Sequence, residues 1–259
     1  MKKLSRVQRK KRRKKIFSTI SIVTVIGFVI LMIAINTDFF LIKKIAVAGN
    51  EKVESNKIIL LSSIQEGENI FKISTRDAKK NIMTLPYVKD VEVKRNLPKE
   101  IKIKIEERKE KMRIKDISSF IILDEEGYIL DNVDDKNENL TEIIGFKIKN
   151  KTNGENVFID NKEDLKVKFI SQSQDLKMLS KFKHINMEDD ENINILSFDN
   201  IEVVFGTIDN VEYKLNMLDK VFKDIDEKKL DVKMILMDKG DSPIVVLEDG
   251  NETEEAEEE

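Results

Sequence analysis

The 259-residue chain is rich in charge and contains no cysteine: Lys and Arg number 46, Asp and Glu number 49, and charged residues make up 37% of the sequence. The lack of cysteine excludes a disulfide-stapled domain, so every folded part depends on its own hydrophobic core. The net charge of −3 hides two opposite parts of the chain. The first fifteen residues hold ten cations and no acid, which leaves the remainder with a net charge of about −13.

Residues 16–35 form an uncharged run of twenty residues behind this basic head. A helix of that length rises about 30 Å, which matches the hydrocarbon thickness of a bilayer. A basic segment before a first membrane span orients the N-terminus toward the cytoplasm. We therefore predict a cytoplasmic tail over 1–15, a single transmembrane helix over 16–36 in contact with membrane lipid, and extracytoplasmic domains after it.

A cleaved signal peptide is the alternative interpretation, because Ala46-Val47-Ala48 resembles a small-residue cleavage site. Charged Asp38, Lys43 and Lys44 separate that tripeptide from the apolar run, which is also longer than the usual apolar region of a signal peptide. Retention as an anchor is favoured. A basic run beside a spanning helix is typical of membrane topology and lipid contact, so no nucleic-acid partner is predicted.

The segment 39–109 is predicted to form a strand, two helices and a hairpin. A strand over 40–47 ends at the turn pair Gly49-Asn50, and a helix with Ile58, Leu61 and Ile64 on one face ends before Gly67. The expected product is a small α/β module with both helices on one side of a three-stranded sheet.

The second helix and the hairpin of this module have specific signals. Ser74 and Asp77 fit a capping box, and Pro86 disfavours helical geometry at the residue before it, so this helix is expected to end near Leu85. Apolar residues then alternate with charged ones over 88–93 and 101–105, which predicts two antiparallel strands with one buried face.

The segment 110–248 is predicted to be a mostly antiparallel β-domain with packed helices. The apolar patterns and turn residues predict a hairpin over 120–130, a loop over 131–139, a further element from 143, a helix over 173–185, strands within 193–205, a helix over 211–225, and strands over 233–237 and 243–247. The fold class is thus α+β. Residues 249–259 are predicted to be a disordered acidic tail, with repulsion or selection of anionic wall polymers as the alternative role.

The first module contains the motifs Val47-x-Gly49-Asn50, Gly67-x-Asn69-Ile70-Phe71, Leu85-Pro86-x-Val88, Val91-x-Val93-x-Arg95-x-Leu97-Pro98 and Ile101-x-Ile103-x-Ile105-x-Glu107-Arg108. The second contains Asp124-x-x-Gly127, Ile143-x-Gly145, Val203-Val204-Phe205-Gly206 and Lys214-Leu215. In this order, the motifs of both modules resemble the FtsQ/DivIB family of bacterial division proteins, which combines one membrane helix, a POTRA module and a β-domain. The chain departs from the family at Glu110 and Met112, where the family usually has a proline and a small residue.

The residues do not supply a recognisable catalytic set. The one histidine, His184, is expected to cap the C-terminus of the helix over 173–185, where a cation is favourable. Acid clusters over 188–191 and 131–135 are expected from the high charge content, and the second lacks the spacing of a calcium loop. We predict no enzyme, no cofactor, no metal and no small-molecule substrate.

The architecture favours a protein that binds other proteins through a sheet edge. Pro243 cannot donate a ladder hydrogen bond, which is typical of an edge strand, and the residues after it are able to pair with a partner strand. The resemblance implies docking at this end of the β-domain by FtsB/DivIC-like and FtsL-like single-pass proteins, with septal peptidoglycan synthases as further partners at the division septum. The predicted partner-binding residues are Met234, Leu236, Ile244, Val245, Val246 and Leu247; the alternative is that the last four belong to the core.

The function predicted from these features is a division scaffold that helps to coordinate septal peptidoglycan synthesis. The leading alternative is a POTRA-bearing receptor or chaperone for exported polypeptides. An extracytoplasmic wall hydrolase that uses the acid clusters is the third.

Overall fold

The computed structural model describes residues 6–35, 37–116, 119–134, 139–148, 150–159, 164–240, 242–248 and 252–254. The helices in this part are α1 Arg6–Ile35, α2 Ser55–Ser62, α3 Thr75–Ile82, α4 Leu165–Asp175 and α5 Val211–Lys228. The strands are β1 Lys44–Ala48, β2 Val88–Asn96, β3 Glu100–Glu107, β4 Met112–Lys115, β5 Phe120–Leu123, β6 Ile129–Val133, β7 Thr141–Ile144, β8 Phe182–Asn186, β9 Ile193–Ser197, β10 Glu202–Gly206, β11 Val232–Leu236, β12 Ile244–Leu247 and β13 Glu252–Glu254.

The chain divides into two compact units. The first comprises Met1–Thr84 and Val88–Glu107, and the second comprises Leu85–Tyr87 and Arg108–Glu259.

The first unit contains a three-stranded sheet in the order β1-β3-β2, with β1 parallel and β2 antiparallel to β3. Ile101, Ile103 and Ile105 of β3 are buried, whereas the lysines between them are exposed, so only one face of the sheet is covered. Buried Ile58 of α2 and Ile82 of α3 supply apolar surface for that face. The predicted order of strand, two helices and hairpin is confirmed, including the single covered side.

Local signals explain where the elements of the first unit begin and end. Ser74 caps α3, since its hydroxyl accepts a hydrogen bond from the backbone N–H of Asp77 at 3.2 Å. Gly49 ends β1 with a φ of +85°, and a Cβ there would lie 2.2 Å from the carbonyl oxygen of Ile105. The predicted strand over 40–47 begins later, at Lys44, because a 3₁₀ helix occupies Asp38–Phe40.

The second unit is built on a ten-stranded sheet in the order β13-β12-β11-β10-β9-β8-β7-β4-β5-β6. The pairs β10/β11, β7/β8 and β4/β7 are parallel, and the other described pairs are antiparallel. The prediction of a mostly antiparallel domain is therefore confirmed.

One face of this sheet holds a row of directly paired β-branched residues. The row crosses six strands and comprises Ile143, Ile185, Ile195, Val203, Ile235 and Val245. All six are buried in one cluster with the apolar stripes of α4 and α5. Phe169 of α4 and Phe205 of β10 lie edge to face in this cluster, with ring centroids 5.0 Å apart. Both long helices of the unit therefore cover the same side of the sheet.

The predicted helix over 173–185 is wrong in its position. Helix α4 ends at Asp175, a 3₁₀ helix covers Leu179–Lys181, and β8 begins at Phe182. The apolar spacing of three residues that suggested a helix arises because Leu179 and Phe182 enter the same core from two different elements. Pairing of β8 with β7 and β9 outweighs the local helical pattern.

Two predicted irregular segments also contain strand. Residues 131–133 of the predicted loop belong to β6, while residues 135–138 lie outside the described part of the chain. The predicted disordered tail is wrong at 252–254, which form β13 antiparallel to β12. The other residues of 249–259 lie outside the description.

Counting only the residues that the structure describes, no helix combines the length and the apolar content needed to cross a membrane. The transmembrane helix over 16–36 is not confirmed and stays a prediction; residue 36 lies outside the described residues.

The packing of Phe169 gives a stability prediction. Phe169→Ala is expected to lower the free energy of unfolding of the second unit by about 3–5 kcal/mol, because a fully buried ring leaves a cavity against Phe205. Phe198→Ala is the control, since that ring is 38% exposed. Urea denaturation followed by circular dichroism checks both variants. Equal losses for the two would contradict this description of the core.

Candidate functional site

The predicted partner-binding residues lie on β11 and β12, near one end of the large sheet. The two strands are antiparallel, with Met234 opposite Val246, Ile235 opposite Val245 and Leu236 opposite Ile244. Because side chains alternate between faces along a strand, the first and third of these pairs share the face opposite to the core. The second pair points into the core, where both residues are nearly inaccessible to solvent.

Four of the six predicted residues therefore form an apolar surface on the outer face of the sheet. Met234, Leu236, Ile244 and Val246 are all half-buried. Half-buried Val204 of β10 extends this surface, since it pairs with Leu236. We call these five residues the outer apolar surface. Helices α4 and α5 lie on the other side, so side chains of this surface are able to meet a partner without disturbing the main core.

The remaining two predicted residues do not belong to the outer apolar surface. Val245 is 2% exposed within the main core, and Leu247 packs against the same core from its edge. Val245 is thus a core residue, as the alternative proposed, whereas Leu247 is half-buried and packs against the core. The reason is the alternation of the strand, which sends neighbouring residues to opposite faces.

The expectation that β12 is the open edge of the sheet is wrong in this structure. Residues 252–254 pair with β12 in antiparallel register, with Ile244 opposite Glu254 and Val246 opposite Glu252. Pro243 precedes β12 and is buried. The edge of β12 is therefore able to accept an antiparallel strand, and three residues of the chain's own tail occupy it.

His184 lies on β8 rather than at a helix terminus, so the predicted capping role is wrong. Its Nδ1 is 3.8 Å from the carboxylate of Glu142, with which it is paired across β7 and β8. Glu142 in turn accepts hydrogen bonds from Arg113 at 3.0 Å (Nε) and 2.5 Å (Nη2). Arg113 and Glu142 are 3% and 7% exposed, so this is a buried ion pair on the outer face of the sheet.

The described acids of the two clusters are held by separate local contacts. In the first, Asp189 accepts a hydrogen bond from the side-chain amide of Asn192 and another from the backbone N–H of Glu191, and these hold the pKa of Asp189 below its usual range. Asp190 pairs with Lys166 at 2.9 Å. The cluster thus shapes the turn between β8 and β9. In the second cluster Asp131 lies on β6, and residue 135 lies outside the described part.

A polar cluster around Arg108 was not predicted from the sequence. Its guanidinium donates to Asp124 at 2.6 Å and to Glu126 at 2.8 Å, and lies 3.6 Å from the centroid of the Tyr128 ring. Burial opposes the charged form of Arg108, but the hydrogen bonds to Glu126 and Asp124 outweigh it and raise the pKa of the guanidinium. The sequence contains both partners in the motifs Glu107-Arg108 and Asp124-x-x-Gly127. It does not show that these two motifs are in contact.

Asp124 organises the turn that carries these groups. One carboxylate oxygen accepts the backbone N–H groups of Glu126 and Tyr128, while the other accepts from Arg108. Gly127 has a φ of +85°, and a Cβ there would lie 2.4 Å from the ring of Phe158. This cluster is a structural anchor of the second unit, with its donors and acceptors directed at one another.

Comparisons with known proteins give consistent matches along the chain. Residues 40–108 match the family model of the FtsQ-type POTRA domain, and residues 112–238 match that of the C-terminal domain of the cell division protein FtsQ/DivIB. The cell division protein DivIB of Clostridium tetani is 32% identical over 183 residues, which cover 69% of this chain and 68% of that protein. DivIB of Clostridium acetobutylicum is 30% identical over 212 residues, covering 79% and 82%.

A solved structure was also found, that of the major extracytoplasmic domain of the division protein DivIB from Geobacillus stearothermophilus. It aligns with 46% of this chain and 95% of its own at 17% identity, with a TM-score of 0.32.

The buried ion pair gives a double-mutant prediction. Arg113→Met is expected to lower the free energy of unfolding by about 3–5 kcal/mol, because it leaves the Glu142 carboxylate buried without its cation. Glu142→Leu is also expected to lower the free energy of unfolding, because it leaves the Arg113 guanidinium buried without its carboxylate. The double variant is expected to regain most of the loss, since neither charge is then stranded.

Urea denaturation of the two single variants and the double variant measures this coupling. Lys223→Met, which breaks an exposed ion pair with Asp219 on α5, is the control and is expected to change stability little. A double variant that loses the sum of the two single losses would show that the pair is not coupled.

Proposed function

Because the chain belongs to the FtsQ/DivIB family of bacterial cell division proteins, we propose that it is a non-catalytic, membrane-anchored scaffold that binds other division proteins at the septum. In this role it helps to coordinate septal peptidoglycan synthesis. The observation that carries the proposal is the end of the large sheet, where the outer apolar surface lies beside a strand edge that accepts an antiparallel partner.

The anchor is supported by the uncharged run over 16–35 and by the exposure of its described side chains. Phe17, Val23 and Phe28 of α1 are each more than 60% exposed. Apolar side chains exposed on a helix without a protein partner are favourable in lipid and unfavourable in water. The basic head then orients the N-terminus toward the cytoplasm and the two folded units to the other side.

The docking mode that the geometry favours is strand addition at β12. Backbone hydrogen bonds of a β-ladder supply affinity, and side chains of alternate residues supply specificity. A partner strand that takes the place of 252–254 gains a full ladder with Ile244–Leu247. The outward side chains of this partner strand lie next to Ile244 and Val246 of the outer apolar surface. Apolar residues are therefore favoured in the partner strand at the positions where β13 has glutamates.

The proposed partners are single-pass division proteins of the FtsB/DivIC and FtsL kind, with septal peptidoglycan synthases gathered through them. A partner held in the same membrane meets the second unit at a high effective concentration, so a modest strand interface is sufficient.

A charge placed in the outer apolar surface tests the docking site. Val246→Lys is expected to reduce capture of single-span division proteins from detergent-solubilised membranes about tenfold or more, because an apolar contact at the centre of an interface is replaced by a charge that needs water. Asn216→Lys is the control, since it adds the same charge to an exposed position on α5, which lies on the other side of the sheet.

The measurement is affinity capture of the full-length variants with quantification of co-purifying proteins by mass spectrometry. Both variants are expected to retain the native circular dichroism spectrum. Equal recovery of partners with Val246→Lys and with the unmodified protein would overturn the docking site. Recovery of diverse secreted polypeptides instead would favour a receptor for exported chains.

Two truncations test the role of the tail strand. Ending the chain at Glu248 removes β13 and is expected to increase partner capture severalfold, because β12 no longer has to release its own strand. Ending it at Glu254 keeps β13 and removes four glutamates, and is expected to leave capture unchanged. An equal increase with both truncations would assign the effect to charge, and a loss with the first would show that β13 is part of the interface.

A further inference from the structure

We propose that an aromatic patch of the first unit is seated in the headgroup region of the membrane and fixes that unit against the bilayer surface. The patch comprises Phe39, Phe40, Phe71, Leu97 and Lys99, and we call it the juxtamembrane patch. This inference rests on the proposed membrane anchor. It assigns a lipid-binding surface to residues outside the apolar run.

The aromatic residues of the patch form one connected group. The rings of Phe39 and Phe40 meet edge to face with centroids 5.1 Å apart, and the ring of Phe71 meets that of Phe40 at the same distance. Backbone hydrogen bonds hold the two segments together, since the N–H of Ile70 donates to the carbonyl of Phe40 at 2.9 Å. The cluster is therefore built into the fold of the unit.

The turn between β2 and β3 brings Lys99 to the same place. The Nζ of Lys99 lies 5.3 Å from the centroid of the Phe39 ring, and the carbonyl of Lys99 accepts the N–H of Lys43 at 2.8 Å. Leu97 stands in the same turn. A cation over an aromatic ring is a favourable pair. The negatively charged phosphates of lipid headgroups attract the same cation.

Three large apolar side chains of the patch are exposed. Phe39 is 57% exposed, Leu97 55% and Phe71 40%. The same side chains are favourable at the boundary between headgroups and acyl chains, where aromatic rings collect in membrane proteins. The exposed group is thus suited to a lipid interface.

The length of the chain keeps the patch at the membrane if residues 16–35 span it. Phe39 follows Ile35 by four residues, which span at most about 14 Å when fully extended. The headgroup region of each leaflet is roughly 5–8 Å thick. Phe39 therefore stays within or just above the headgroups. Rings that are already next to the interface gain free energy by entering it.

The charges around the patch are mixed, so the apolar side chains supply the attraction. Exposed Lys43 and Lys72 lie in the segments that carry the rings, but so do exposed Asp38 and Glu68. Net attraction to anionic lipid is consequently small, and binding is expected to depend weakly on ionic strength.

Single tryptophans in the full-length protein test the proposal directly, because the chain contains none. The protein is reconstituted in vesicles of phosphatidylcholine and phosphatidylglycerol, with or without brominated acyl chains that quench tryptophan near the lipid. Phe71→Trp and Leu97→Trp report on the patch, and Val25→Trp reports on the helix. Circular dichroism verifies that each variant is folded.

Met83→Trp is the matched control for the patch. Met83 is 38% exposed, close to the value for Phe71, and follows α3 at the opposite end of the unit from Leu97. The nine residues of β2 that separate these ends span about 26 Å. Phe71→Trp and Leu97→Trp are expected to be quenched at least about threefold more strongly than Met83→Trp, with emission shifted to shorter wavelength.

The outcomes separate this inference from the anchor on which it rests. Quenching of Val25→Trp without quenching of Phe71→Trp and Leu97→Trp would overturn the patch and leave the anchor standing. No quenching of Val25→Trp would overturn the anchor, and with it the membrane contact of the juxtamembrane patch. Equal quenching of Met83→Trp and the patch variants would show that the unit meets the membrane through another surface.

Discussion

The rest of the second unit depends on one constraint, the alternation of side chains across a long mixed sheet. A single row of β-branched residues, from Ile143 on β7 to Val245 on β12, is buried under α4 and α5. Because each strand places its next residue on the other face, this row fixes which residues are left outside. The outer apolar surface is the consequence: its residues are the neighbours of core residues, and neither of the two long helices described in this unit covers them.

The same constraint explains why the two ends of the outer face differ. Near β4 and β7 it carries the buried pair of Arg113 and Glu142, joined by a small apolar cluster around Phe120 and Ile122. Near β11 and β12 it carries half-buried aliphatic residues next to a short tail strand. At the first end the charged groups are paired with each other. At the second end a strand edge and apolar side chains are suited to contact with another chain. The proposed protein-binding site is therefore placed at this end of the sheet.

The proposed membrane anchor would place a second constraint on the first unit. In that arrangement, a unit tethered within a few residues of a membrane helix has one end at the lipid surface, and the juxtamembrane patch with the exposed rings of Phe39 and Phe71 is assigned to that end. The proposed lipid contact and the proposed protein contact lie on different units, and each has its own test.

The sequence by itself determined the elements whose signals are local. The capping pair Ser74 and Asp77, the alternation over 101–105 and the stripe of α5 each specify their element within a few residues, and the structure contains all three. What only the tertiary structure decided was strand order and its consequences: that 182–186 is a strand, that Val245 faces the core while Val246 does not, that Arg108 meets Asp124, and that 252–254 close the edge of β12. Those outcomes depend on pairing between residues far apart in the chain, which local periodicity does not encode.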